Sequence, residues 1–116
     1  MSMEFVSYLH EIFAQFGTIQ TRRMFGGFGI YHQGLIFGLI IDETLYLKVD
    51  VISSPAFEQL GLLPFEYDRH GKIIKMSYYQ APEEIFDDFE QATVWAKRGY
   101  EAAIRANQPK KIKSKT

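Results

Sequence analysis

The chain changes its hydrophobic period several times, and each change marks an element. Phe5, Leu9, Ile12, Phe13 and Phe16 recur at helical spacing, which predicts an amphipathic helix over residues 3–16. Ser2 is positioned to cap its start, and Gly17 to supply the left-handed residue that ends it. From Thr18 the period becomes two. Residues 20–31 read as a first strand, His32-Gln33-Gly34 as a tight turn, and Leu35 to Ile41 as a nearly continuous apolar strand. Such a run requires cover on both faces or a very apolar sheet. After Asp42-Glu43, Thr44 to Val49 alternates cleanly: Leu45, Leu47 and Val49 face one way, Tyr46, Lys48 and Asp50 the other. Strands joined by such short loops form an antiparallel meander.

Ser53-Ser54-Pro55 opens a short helix, with a serine cap and a proline whose missing N–H costs little in the first turn; Gly61 closes it. Phe57 and Leu60 give it an apolar side. Pro64 to Asp68 and Ile73 to Tyr79 are two more strands, joined through Arg69-His70-Gly71-Lys72. Ala81-Pro82-Glu83 begins a C-terminal helical region, and Asp87-x-x-Glu90 has the form of a capping box, which places the main helix start at Asp87. Phe89, Ala92, Ala96, Gly99 or Tyr100, and Ala103 make its buried stripe, with Trp95 beside it. Glycine inside a helix costs about 1 kcal/mol relative to alanine, so a close neighbour is expected at Gly99. The order helix, three strands, helix, two strands, helix predicts a two-layer α+β fold with a five-stranded antiparallel sheet over residues 1–108. Residues 109–116 are expected to be a disordered lysine-rich tail.

Composition adds bounds. At 116 residues with 47% hydrophobic and 16% aromatic content, the chain reads as one domain that needs no staples. It has no cysteine, which removes disulfides and thiolate chemistry. No apolar run approaches a membrane span, and the first residues lack a signal-peptide pattern, so the expectation is a soluble cytoplasmic protein. The net charge of −1 is uneven: setting aside Lys110, Lys111, Lys113 and Lys115 leaves 9 basic against 14 acidic residues, a body at −5. Four tail lysines on phosphates would give a salt slope of about −3.6, so direct DNA binding is expected to be weak or absent.

Candidate chemistry is sparse. Gly26, Gly27 and Gly29 lie in a strand-period run with no helix behind them, which favours a bend in the sheet over a phosphate loop. His10, His32 and His70 have no metal-ligand spacing and read as solvated; no cofactor and no metal is expected. Ser7 and Ser77 have no base partner, and Glu83, Glu84, Asp87, Asp88 and Glu90 fit the positive end of a helix dipole better than an acid–base pair. Adjacent strand residues point to opposite faces, so one of Arg22 and Arg23 is free to meet a partner while the other pairs. An aromatic pocket near Tyr31, Tyr67, Tyr78 and Tyr79 keeps a ligand-binding or enzymatic domain open, and sheet edges keep a self-associating adaptor, or homodimer, open.

Arg23-Met24-Phe25-Gly26-Gly27-Phe28-Gly29-Ile30-Tyr31, then Gly34, Phe37-Gly38-Leu39-Ile40 and Leu45-Tyr46-Leu47-Lys48-Val49-Asp50 resemble the N-terminal domain of the TfoX/Sxy competence-regulator family. Gly61, Pro64-Phe65-x-Tyr67, Met76-Ser77-Tyr78-Tyr79, Pro82 and Trp95-Ala96 extend the likeness over residues 4–106. The resemblance implies an α+β domain without catalytic activity or cofactor, acting in transcription by protein contact. It implies a coactivator role with the cyclic-AMP receptor protein at competence promoters. Full-length regulators of this type carry a second domain, and this chain stops shortly after the first. Met24, Phe25, Gly26, Gly27, Gly29, Tyr31 and Gly34 are carried over as structural motif residues, and Arg22, Arg23, Tyr46 and Lys48 as candidate partner contacts.

Overall fold

The alternating segments pair into one antiparallel sheet, seen in a computed structural model that describes residues 3–24 and 26–108. Its strands are β1 (Gln20–Met24), β2 (Gly27–His32), β3 (Leu35–Ile41), β4 (Thr44–Lys48), β5 (Pro64–Arg69) and β6 (Lys72–Gln80), in the order β1-β2-β3-β4-β6-β5. The helices are α1 (Met3–Ile12), α2 (Ser54–Glu58) and α3 (Phe89–Ala106), with a 3₁₀ turn at Glu83–Phe86. The α+β class and the antiparallel sheet are as expected, but the sheet has six strands rather than five. The run 20–31 is a hairpin, in which Met24 pairs with Gly27 and Gln20 with Tyr31. Gly26 makes the reversal possible at φ +75°, a region costly to residues with a Cβ. The other tight hairpins use left-handed pairs: Gln33-Gly34, Asp42-Glu43 and His70-Gly71 all have positive φ.

One face of the sheet carries the helices. Phe28, Ile30, Phe37, Ile40, Leu45, Leu47 and Val49 meet Val6, Leu9, Ile12 and Phe13 from the N-terminal segment and Ala92, Trp95, Ala96 and Ala103 from α3. A bulge between Ile30 and Tyr31 sets both Phe37 and Gly38 opposite Ile30, so Phe37 enters the core beside Phe13, Phe16 and Tyr100. The close neighbour expected at Gly99 is there: a Cβ would lie 3.3 Å from the Phe37 carbonyl oxygen and 3.4 Å from Leu47 Cβ.

Several local expectations are corrected. Helix α1 ends at Ile12, and residues 13–16 continue as turns rather than helix. The cap of α3 is Asp88, not Asp87: its Oδ1 accepts from the backbone N–H groups of Glu90 and Gln91. Ser53 occupies the cap position of α2 but makes no side-chain cap bond; its Oγ instead accepts from the Asp50 N–H at 3.0 Å. His32 is half-buried rather than freely solvated; its ring lies between Phe16 and Tyr100, and Nδ1–H donates to the Thr18 carbonyl at 2.7 Å. Ser2 and the tail 109–116 lie outside the described residues.

Asp50 does not continue the outward row of Tyr46 and Lys48. It turns toward the end of α3, where its carboxylate accepts from Arg105 Nε at 2.6 Å and Nη2 at 3.0 Å, and it also accepts from the Ile52 and Ser53 N–H groups. The Arg105 bond, chiefly, pulls the Asp50 carboxyl down from 3.8 to about 2. A depressed folded value stabilises above the unfolded value and is lost as pH falls through the folded one. Arg105→Ala is therefore expected to cost about 1 kcal/mol near neutrality, discounted for solvent screening at this partly exposed pair. That difference from the parent should shrink from pH 4 downward, be mostly lost by about pH 2 and vanish below it, checked by urea unfolding across the range.

Candidate functional site: the open face of the sheet

Strand alternation gives the face opposite the helices its own side chains. Arg22 pairs with Gly29, Tyr31 with Ile36, Leu39 with Tyr46, and Lys48 with Tyr78, and paired residues share a face. Leu39 and Tyr78 are 1% and 6% exposed yet stand outside the main core cluster, which means that the open face buries apolar groups of its own. Gly29 belongs to this layer. Met24 Sδ would lie 2.5 Å from a Cβ at Gly29, and the Tyr31 hydroxyl reaches the same sulfur at 3.9 Å. Gly29 thus makes room for Met24, and the glycine run forms a hairpin rather than the expected bend in one strand. Phe28 faces the helices instead, and Phe25 lies outside the described residues. Gly34 serves its turn at φ +82°.

The candidate contacts divide. Arg22, Tyr46 and Lys48 share the open face, whereas Arg23 pairs with Phe28 and projects on the helix side, its guanidinium 5.3 Å from the Phe28 ring. Arg22 sits 4.7 Å above the Tyr31 ring. Lys48 Nζ donates to Ser77 Oγ at 2.8 Å and lies 5.1 Å from the Tyr78 ring; burial lowers its pKa, with Asp50 opposing. The Tyr46 ring lies 5.0 Å from Phe65, and its hydroxyl pKa is raised by burial and then by Asp42. Burial likewise raises Tyr78, with Tyr31 adding to it.

The expected aromatic pocket is only partly assembled. Tyr31, Tyr67 and Tyr78 lie on the open face, but Tyr79 turns to the helix side, where it meets Phe57 and donates to Glu58 Oε2 at 2.8 Å. That bond is the main cause of its raised pKa. The groove that does form, about 450 Å³, is lined by Ile41, Asp42, Phe65, Glu66, Tyr67 and Met76. Phe65 and Tyr67 stack at 6.2 Å; their i, i+2 spacing was the sequence signal for this groove, and Ile41 and Met76 had none. Among the described residues no group of three or more His, Cys, Asp and Glu side chains is placed to hold a metal ion. None of their helices is long and apolar enough to cross a membrane.

The family model of the TfoX N-terminal domain matches residues 11–103. The chain is similar to the DNA transformation protein TfoX1 of Aliivibrio fischeri, 30% identical over 82 residues, 67% of this chain and 39% of that protein. It is also similar to Protein Sxy of Escherichia coli, 23% identical over 95 residues, covering 82% of this chain and 46% of that protein. The chain thus spans less than half the length of either relative.

Proposed function

Because the chain belongs to the family of TfoX N-terminal domains, we propose that it is a non-catalytic regulatory domain that acts in the control of competence genes by contacting another protein. The observation that supports this reading is the shared open face of Arg22, Tyr46 and Lys48, opposite the face on which the described helices pack. The cyclic-AMP receptor protein is the partner to which the family resemblance points, with the domain as coactivator at its promoters. The sheet edges are poorer contacts. Strand β1 carries Arg22 and Arg23, and β5 carries Pro64, Glu66, Asp68 and Arg69, features that discourage edge-to-edge pairing.

The face assignment separates two arginines that are neighbours in sequence. Arg22→Glu with Lys48→Glu is expected to reduce a competence-promoter reporter to background, in cells lacking the parent gene. Loss of the two cation–ring contacts and of the Lys48–Ser77 bond should lower unfolding stability by about 1–3 kcal/mol, leaving the domain folded. Arg23→Glu, on the opposite side, should leave activation intact. Undiminished activation in the double variant, or equal loss with Arg23→Glu, would remove the open face as the contact.

A further inference from the structure

Strand alternation turns several cations to the open face, and the carboxylates Asp42 and Glu66 lie at the Phe65–Tyr67 groove. Alternation from the paired residues Tyr67 and Ile74 carries the same side of the β5–β6 hairpin to Arg69 and Lys72, which pair with each other. Arg22, Lys48, Arg69 and Lys72 thus stand on this side, while Glu66 pairs with Lys75, and Asp68 with Ile73, on the other. This occurs in a chain of net charge −1. The groove lined by Ile41, Asp42, Phe65, Glu66, Tyr67 and Met76 shares this face, with Tyr67 38% exposed.

We infer that the open face binds an acidic peptide segment of a partner protein, its carboxylates among Arg22, Lys48, Arg69 and Lys72 and an aromatic or apolar side chain in the Phe65–Tyr67 groove. This rests on the reading of the face as a protein contact and adds the chemistry of what is contacted. Charge complementarity selects an acidic occupant. One feature selects a peptide over single-stranded nucleic acid. Base recognition on a sheet requires free ring faces, and here Arg22 covers Tyr31, Lys48 lies over Tyr78, and Phe65 abuts Tyr46. Asp42 and Glu66 line the groove, which disfavours any anion there, a phosphate or a peptide carboxylate alike, and leaves it to an uncharged side chain of the segment. Acidic segments with aromatic anchors satisfy both parts of the surface, as neither a pure polyanion nor a neutral apolar peptide does.

The test uses the full chain and three probes of defined chemistry: a fluorescent random copolymer of glutamate and tyrosine, polyglutamate, and oligo(dT), each titrated by anisotropy at low and high salt. The expected result is saturable, salt-sensitive binding of the glutamate–tyrosine copolymer, weaker binding of polyglutamate and weaker still of oligo(dT). Arg69→Glu with Lys72→Glu, both exposed on the hairpin, should weaken copolymer binding by about tenfold. Tyr67→Ser should remove the preference over polyglutamate. Preference for oligo(dT) would overturn the inference in favour of a nucleic-acid face. Equal binding of both acidic polymers, binding unaffected by the charge reversals, or none at all would also overturn it. Since the promoter reporter is read separately, activation without copolymer binding would refute this chemistry and leave the regulatory reading standing.

Discussion

Gly27→Ala is expected to destabilise the domain by about 3 kcal/mol, lowering the melting temperature by about 15 °C. A Cβ at this position would lie 1.9 Å from the Ile40 carbonyl oxygen, far inside contact distance, and that atom belongs to the backbone of β3. Relief requires β2 and β3 to separate where Phe28 pairs with Ile40, both core residues. Its glycine neighbours provide the contrast. At Gly29 the nearest atoms are Met24 Sδ and Ile36 Cδ1, ends of flexible side chains that can move aside. At Gly26 nothing lies within 4 Å, and only the left-handed φ opposes alanine, at a cost of about 1–2 kcal/mol. The expected ranking by thermal unfolding is Gly27→Ala as the most damaging of the three. Equal losses at all three sites would show that the close approach of β2 to β3 is not what demands glycine.

Phe37→Ala should cost about 3–5 kcal/mol, much of the 5–15 kcal/mol by which a domain is typically stable. The ring is fully buried and meets those of Phe16, Tyr100 and Phe13 at 5.3, 5.9 and 6.3 Å between centroids. The cavity cannot be closed cheaply. Helix α3 already rests on β3 through Gly99, near the limit of approach for its backbone, so it has little room to move inward. Urea unfolding should show a lower midpoint with an unchanged slope, since the surface exposed on unfolding is nearly the same. Tyr67→Ala, on the solvent side, should change stability far less while affecting partner binding. A Phe37→Ala loss below 1 kcal/mol would mean that the core around the β3 bulge collapses freely.

The two residues differ in how legible they were. Phe37 lies in an apolar run whose burial follows from composition alone, yet the bulge that places it and Gly38 on one side of β3 has no signature in the run. The hairpin turn at Gly26 had the glycine of a left-handed position but no asparagine or aspartate before it. A strand-period pattern on both sides therefore read through it, and one strand was expected where two exist. The spacing Asp87-x-x-Glu90 pointed to Asp87 as the cap, whereas it is the Asp88 carboxylate that reaches two N–H groups of the first turn. The Asp50–Arg105 pair spans 55 positions, and alternation, the one local rule bearing on Asp50, sent it to the wrong side.

For the candidate face, the sequence by itself determined the α+β class, the antiparallel pairing, the outward row of Tyr46 and Lys48 and the resemblance to a regulator family. Those are consequences of hydrophobic period and short connections, which act between neighbours along the chain. Only the tertiary structure decided which arginine joins that row, because sidedness across β1 depends on its register with β2. Likewise, only strand order brings Arg22 and Tyr31 into one surface with Lys48, Tyr78 and the Phe65–Tyr67 groove. Strands β4 and β6 are adjacent in the sheet although α2 and β5 intervene in the chain, and that adjacency is fixed by where the helices cover the opposite face, a condition that no local pattern records.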